Sequence, residues 1–441
     1  MIKNKVRIGC GAGFSGDRLE PAVILAEKGE LDYLVLECLA ERTIALAQKR
    51  KLQDPTKGYD PLLERRMEML LPILKSKNIR LITNMGAANP IAAAELICCI
   101  ARKTGLSVSV AAVTGDDVLN LLSGEELTLE TGKPLHTVGQ IVSANAYLGA
   151  DAILTALETG ADIIITGRVA DPSLFVAPLI HEFNWSLDDA DRMGQATVIG
   201  HLMECAGQLT GGYFADPGKK EVPDMASLGH PFVDIYPDGK AIFSKVAETS
   251  GILNLATVKE QLLYEVMNPQ QYFTPDVVAD FTQVRLQEVG PNQVQVTGGR
   301  GENKPATLKV SVGYQAGFVG EGEISYAGPN ALGRAQLSGA IIKQRLSPHF
   351  PELRVDYIGS TSVHRTQLGN YPEPYEIRLR VAGKAITPEM AARVGEEVEA
   401  LYTNGAAGGG GARKYVQEVI GIISILLPRN KVNPTVTVQR S

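Results

Sequence analysis

The sequence lacks any apolar run approaching the ~18 residues of a membrane-spanning helix, so no part of it reads as a span. Its opening, MIKNKVRIGC, lacks the apolar stretch of a secretory signal and passes straight into a strand pattern. The five cysteines, at positions 10, 38, 98, 99 and 205, form an odd set without a C-x-x-C pair, which argues against a zinc knuckle or a disulfide framework. Adjacent Cys98 and Cys99 fall in an apolar helical run, as reduced core thiols do, and a cytoplasmic location is expected. A basic stripe is missing too: 43 Lys and Arg stand against 49 Asp and Glu, giving a formal charge of −6 and no nucleic-acid footprint. Internal repeats and low-complexity segments are absent. What is present is a globular composition, 44% apolar and 21% charged, with 45 glycines gathered in short motifs that mark tight turns.

At 441 residues the chain exceeds one ordinary core, and two domains are expected. Its first half alternates short apolar strands (KVRIG, LDYLVLE, IRLIT, SVSVAAVTG, ADIIIT) with helical patterns (DRLEPAVILAEKG, RMEMLLPILKSK, PIAAAELICCIARKTG, SANAYLGADAILTALETG). Strands apolar on both faces in a β-α-β-α rhythm predict a parallel sheet covered on both sides. EKGELD, RKTGLS and ETGADI place Gly where helices need a left-handed stop. Near residues 215–230 the rhythm changes: FVDIYPDGKAIFSK and VRLQEVGPNQVQVTGG read as hairpins, and Thr387 followed by Pro388 opens a late helix. The expected fold is therefore α/β, with an N-terminal three-layer domain on a parallel sheet (1–220). An α+β domain on a mostly antiparallel sheet follows (221–441), with the site between the two.

GCGAGFSGD, Gly9 to Asp17, contains Gly11, Gly13 and Gly16 in G-x-G-x-x-G spacing between a strand pattern and a helix pattern. With Glu37 at the end of the next strand, this matches a dinucleotide fingerprint. Against it, Asp17 puts a negative charge where a diphosphate would lie, and with Pro21 close behind, Asp17 also reads as a helix N-cap.

Ligands of open parallel sheets bind beyond the carboxyl ends of the strands, and polar residues gather there. Ser15 and Asp17 follow the first strand, Glu37 and Glu41 the second, and Asn84 and Asn89 follow RLIT. Asp116 and Asp117 follow AAVTG, and Arg168 and Asp171 follow IIITG. Arg168 suits a substrate carboxylate, while Asn84 and Asn89 suit a carbonyl or hydroxyl. Glu37 and Asp171 could be driven apart in pKa to serve as acid and base. HLMECAGQ places His201, Glu204, Cys205 and Gln208 on one helix face, with His201 a proton shuttle oriented by Glu204. His201 and Glu204 with His181 or His230 leave a divalent metal open, although no H-E-x-x-H supports one and no cofactor is firmly expected. The stretch NGAAGGGGARK, with Gly409 and Gly410 at its centre, offers backbone N–H groups to an anion, as do His364 and Arg365 on a turn.

GFSGDR, DYLVLECLAERT, TNMGAANP, NAYLGADAI, GADIIITGRVADPSL, HLMECAGQLTGGYFADPG and GHPFVDI, in this order, resemble the signature blocks of the acyclic terpene utilisation (AtuA) family. The resemblance implies a role in the catabolism of citronellol- and geraniol-type terpenes, through carboxylated and hydrated acyl-CoA intermediates, and implies no nicotinamide cofactor. GCGAGFSGD is accordingly read as a Gly-rich active-site turn. Longer members carry a small ferredoxin-like domain at the C-terminus, so a separate small subunit of that fold is an open partner, beside homo-oligomerisation. The expected activity is that of a lyase, hydration or dehydration ahead of carbon–carbon cleavage, on a small branched carboxylic acid or its CoA thioester. Glu37, Asp171, His201 and Glu204 are its acid–base residues. Ser15, Asp17, Asn84, Asn89, Asp116, Arg168, Gly409 and Gly410 bind the substrate. A dinucleotide-dependent oxidoreductase and a non-catalytic subunit of a degradative complex are the alternatives.

Overall fold

Five short apolar segments lie side by side as parallel strands, in the order Val6–Ala12, Tyr33–Leu36, Arg80–Thr83, Ile163–Thr166, Ser109–Thr114. The computed structural model that shows this describes residues 3–366, 369 and 372–441. Alternate strand residues face opposite ways, so Leu34, Leu36, Leu81, Ile163 and Ile165 enter one core with helices Glu20–Lys28, Leu63–Lys77 and Pro90–Lys103. Helices Ala150–Glu158, Ser173–Phe183 and Ala190–Glu204 cover the other face. A sheet buried twice over needs strands without a polar face, and each buried Leu or Ile stabilises it by roughly 1.5–3 kcal/mol. This is the expected α/β three-layer arrangement.

Two of the three anticipated glycine stops adopt the left-handed conformation, Gly105 (φ +70°) and Gly160 (φ +73°). At the first stop, Glu30 takes the left-handed position (φ +53°) and Gly29 stays helical; a Cβ at position 29 would lie 2.4 Å from the Leu25 carbonyl oxygen, so the glycine there serves close packing. SANAYLGADAI is only partly helical. Ile141–Ala146 is a strand, with Asn145 held by Asp116 at 2.9 Å, and the helix begins at Ala150.

The two hairpins after residue 220 do not open a new domain. Pro231–Ile235 pairs antiparallel with Val6–Ala12, and Ala241–Lys245, Gln293–Thr297 and Arg285–Gly290 follow outward. Beyond the opposite edge, Thr435–Arg440 pairs with Ser109–Thr114, which makes a ten-stranded sheet among the described residues. The compact units are Met1–Gly313 with Ile422–Ser441, and Tyr314–Gly421. The change of rhythm near 215–230 thus marks a change of strand direction within one sheet, and not the division between units.

In the second unit the strands run Arg354–Ile358, Glu376–Ala385, Thr307–Ala327, Gly410–Pro428 across the sheet, and the last two, the long ones, each include residues of the first unit as well. Helix Ala331–Leu346 follows the first of these strands in chain order, and Pro388–Glu399 the third. This is the β-α-β-β-α-β connectivity of ferredoxin-like folds, with its own core around Ile324, Ile342, Phe350, Leu379, Val381 and Val394. Thr387 caps the second helix by accepting from Met390 N–H at 3.2 Å. A unit of ferredoxin-like connectivity is thus part of this chain.

Candidate active site

At the carboxyl ends of the parallel strands the first unit encloses a cavity of about 660 Å³. Its wall carries six carboxyl groups, Asp17, Glu37, Glu41, Asp171, Glu204 and Glu265, with Arg18, Arg168 and His230. All of its lining residues belong to the first unit, some from before residue 220 and some, Met225 to Glu265, from after it.

The Gly-rich turn shapes one side. Gly13 N–H donates to Asp17 Oδ2 (3.0 Å), and Asp17 Oδ1 accepts from Arg18 N–H (2.9 Å). The carboxylate thus takes the backbone donor that a diphosphate would need. Asp17 is not a helix cap, since the helix starts at Glu20 with Leu19 before it. Arg66, buried beneath, donates to the carbonyls of Ser15 and Asp17 at 3.1 Å each and fixes the loop. A Cβ on Gly13 would lie 2.5 Å from the Cys205 carbonyl carbon, so glycine here permits the close packing of two chain segments.

Glu37 lies at the mouth of the second strand. Its Oε1 accepts from Leu39 N–H (2.8 Å) and Asn84 Nδ2 (2.9 Å), while Asn84 Oδ1 accepts from Cys38 N–H (2.7 Å). Burial, reinforced by the charge of Asp171, lifts its pKa to about 8 in spite of Arg168 and these hydrogen bonds. Burial also raises Asp171; the Arg168 guanidinium opposes this and Glu41 adds to it. Glu41 goes the other way: burial would raise it, but the Tyr147 hydroxyl (2.6 Å), Lys309 (3.2 Å) and Arg168 bring it down to about 2.

Arg168 is not free to hold a substrate. Its Nε donates to the Val169 carbonyl (2.8 Å), its other nitrogens to the Leu39 carbonyl and to Asp171, and its face stacks on Tyr147 at 4.5 Å. Asp116 is turned inward, accepting from Arg168 N–H (2.9 Å) and Asn145 (2.9 Å). Asn89 caps the helix Pro90–Lys103 and clips the loop at Pro55 and Lys57 (2.8 Å each), so the cavity wall does not include it. Asn84 likewise acts through Glu37. Gly409 packs on Ile324 and Tyr326, and Gly410 opens a strand, both in the second unit. Of the expected binding residues, the structure thus gathers Ser15, Asp17 and Arg168 with Glu37, Asp171 and Glu204.

The helix Ala190–Glu204 stops before Cys205, so only His201 and Glu204 share its face; Cys205 and Gln208 line the cavity from the turn beyond. His201 Nε2 is 3.0 Å from the Gln261 carbonyl and must carry hydrogen, while Nδ1 is 2.9 Å from Glu204 Oε1. One proton therefore lies between imidazole and carboxyl. With both ring nitrogens engaged, His201 cannot ligate a metal. Among the described residues, no three His, Cys, Asp or Glu side chains are arranged to hold one. Burial lifts Glu204 to about 7 against the pull of His201, and its Oε2 has no hydrogen-bond partner. Glu204 lines the cavity wall, with the buried His201 behind it. Burial also raises the Cys205 thiol, which keeps it protonated and unsuited to nucleophilic work.

His230 is the residue the sequence pattern undervalues. Its Nδ1 meets the Gly11 carbonyl at 3.2 Å, which fixes the tautomer, and burial lowers its pKa. Nε2 therefore keeps its lone pair in the cavity wall, 3.8 Å from Asp17 Oδ1. A Cβ at position 207 would lie 3.3 Å from that nitrogen, so Gly207 leaves it open. Only a contact between the first strand and a residue more than two hundred positions later reveals this role, and GHPFVDI carries no local sign of it.

A three-layer α/β unit with an acid–base cavity at its strand ends defines the class of the protein. The family model for acyclic terpene utilisation proteins, AtuA, matches residues 6–438, and the chain belongs to that family. No curated protein matches it. No described helix is long and apolar enough to cross a membrane.

Proposed function

We propose that this cavity is the active site of a lyase that adds or removes water at a small branched carboxylic acid or its CoA thioester. Membership of a terpene-utilisation family supports a catabolic role. The observation that carries the chemistry is the meeting, in one wall, of a carboxyl with pKa about 8 and an imidazole whose Nε2 lone pair is held open. Near neutral pH, Glu37 holds a proton that an ordinary carboxyl has lost, so it can protonate a departing hydroxyl. His230 Nε2 takes the proton from the carbon next to the carbonyl. The carbon–oxygen bond breaks, water leaves with the Glu37 proton, and a conjugated alkene remains; hydration is the reverse. Glu204, sharing its proton with His201, and Asp171, paired with Arg168, complete the acid–base set.

The test is turnover of branched 3-hydroxy acids and their CoA thioesters, followed by the absorbance of the conjugated product. Glu37→Gln keeps the hydrogen-bond acceptor but has no proton to give, and is expected to lower kcat by about 10²–10⁴-fold. Unchanged turnover in this variant, or none by the native protein on any member of the panel, would sink the reading.

A further inference from the structure

The stretch NGAAGGGGARK, whose glycines suggest an anion cradle, runs instead into the strand Gly410–Pro428, the last in the order of its five-stranded sheet. Among the described residues no strand pairs with its far side. Arg413, Lys414, Tyr415, Val416 and Gln417 are exposed one after another, so both faces of the strand are open here, Tyr415 at 51% and Val416 at 44%. A long strand edge carries a row of open N–H and C=O groups, and proteins that stay apart blunt it with proline, a bulge or lysines. Here the proline stands only at the end of the strand, Pro428, and the charges are of both signs, Arg413 and Lys414 against Glu418.

The direction of the open groups follows from Ala412. Its N–H donates to the Tyr402 hydroxyl (3.0 Å) and so points away from the neighbouring strand. Strand residues alternate, and the N–H and C=O groups of Lys414, Val416 and Glu418 therefore point outward as well. A second copy can add to this edge antiparallel, about a two-fold axis that passes through one residue of the run. Charge selects that residue. Centred at 414 the axis sets Lys414 against Lys414, and centred at 418 it sets Glu418 against Glu418, both destabilising. Centred at 415 or 417 it leaves the two charges opposite uncharged side chains. Centred at Val416, Lys414 of each copy lies opposite Glu418 of the other, Val416 meets Val416, and Tyr415 lies opposite Gln417. Within one chain Lys414 is held by Glu399 (2.6 Å) and Glu418 accepts from Gln315 (3.5 Å), exposed contacts that cost little to exchange.

We propose that the protein dimerises through this edge, the segment from Lys414 to Glu418 pairing antiparallel with the same segment of a second copy about Val416. The edge belongs to the unit that contributes no residue to the cavity wall, so the proposal stands apart from the acid–base reading of the site.

Sedimentation equilibrium of the full-length protein tests it. The native chain is expected to associate to twice the 47.2 kDa of one copy. Val416→Pro removes an outward N–H, which an edge strand tolerates, and is expected to raise the dissociation constant at least about tenfold with the circular dichroism unchanged. Lys414→Glu and Glu418→Lys each set like charges across the pair and are expected to weaken it in the same way. Joined in one chain, the two restore opposite charges and are expected to restore association. A native protein that sediments as a monomer, or a dimer that none of these variants weakens, would overturn the proposal. A double variant as weak as the single ones would overturn it too, because Lys414 and Glu418 would then not face each other.

Discussion

Glu37 is expected to carry its signature in the pH dependence of stability, apart from the catalytic role proposed for it. In an unfolded chain a glutamate ionises near 4.5, whereas in the folded protein burial and Asp171 hold its proton until about 8. Below 4.5 both states are protonated and folding is not opposed; above it the unfolded chain gains a charge that the folded protein resists. Stability from this group is therefore full in acid and lost as pH rises through the window from 4.5 to about 8, by at most roughly 1.4 kcal/mol per pH unit. Glu204 acts in the same direction up to about 7, and Glu41 in the opposite one, its contribution disappearing as pH falls toward about 2. Melting curves of Glu37→Gln and the native protein between pH 5 and 8 should separate, the variant becoming relatively more stable at each step upward. Parallel curves would mean that Glu37 ionises normally. The position of Glu37 was legible as a polar residue at a strand end, yet Asn84, Asn89 and Asp116 share that pattern and point into the protein. Strand ends also need caps and braces, and only three-dimensional contacts tell a cap such as Asn89 from a residue that lines a cavity.

The helix Ala190–Glu204 brings His201 and Glu204 to the site, and its placement depends on Gly194. A Cβ there would lie 2.0 Å from the Arg300 carbonyl oxygen and 2.6 Å from Gly301 N, in the strand Arg300–Glu302 that crosses the helix. Two effects compete in Gly194→Ala. Alanine favours an isolated helix by about 1 kcal/mol. Here, however, the added methyl meets backbone, which cannot rotate away, and overpacking of this kind costs about 1–3 kcal/mol or more. The clash should win: the variant is expected to melt at lower temperature than the native protein, with His201 and Glu204 displaced and turnover reduced. A higher melting temperature would show that helix and strand can part without cost. At this scale the sequence was informative where a local rule applies, as for the apolar strands and the Thr387–Pro388 helix start. It misled where a rule needed its neighbours. HLMECAGQ has helical spacing throughout, but Ala206 turns left-handed (φ +43°) and ends the shared face at Glu204.

Across the whole molecule, the boundary read near residue 220 failed for a definable reason. Antiparallel hairpins can extend the edge of a parallel sheet as well as found a new one, and the local pattern is the same in both cases. Equally silent in the sequence is the return of Thr435–Arg440 to a strand more than three hundred positions earlier. What the topology does isolate is Tyr314–Gly421. Its strands Thr307–Ala327 and Glu376–Ala385 pair from Phe318 with Ala385 to Ala327 with Glu376, without a break in register. Helices on this sheet bury Ile324, Ile342, Phe350, Leu379, Val381 and Val394 in a core of its own, and a segment of about a hundred residues is large enough to be stable alone. Excised as 314–421, it is therefore expected to unfold in urea in a single cooperative transition, with circular dichroism and tyrosine fluorescence reporting the same midpoint. A gradual, probe-dependent loss of signal would mean that the ladder at its two long strands depends on the residues that continue them in the other unit. A cooperative transition would show that this unit folds on its own contacts, while every residue of the cavity wall, from Gly13 to Glu265, belongs to the other.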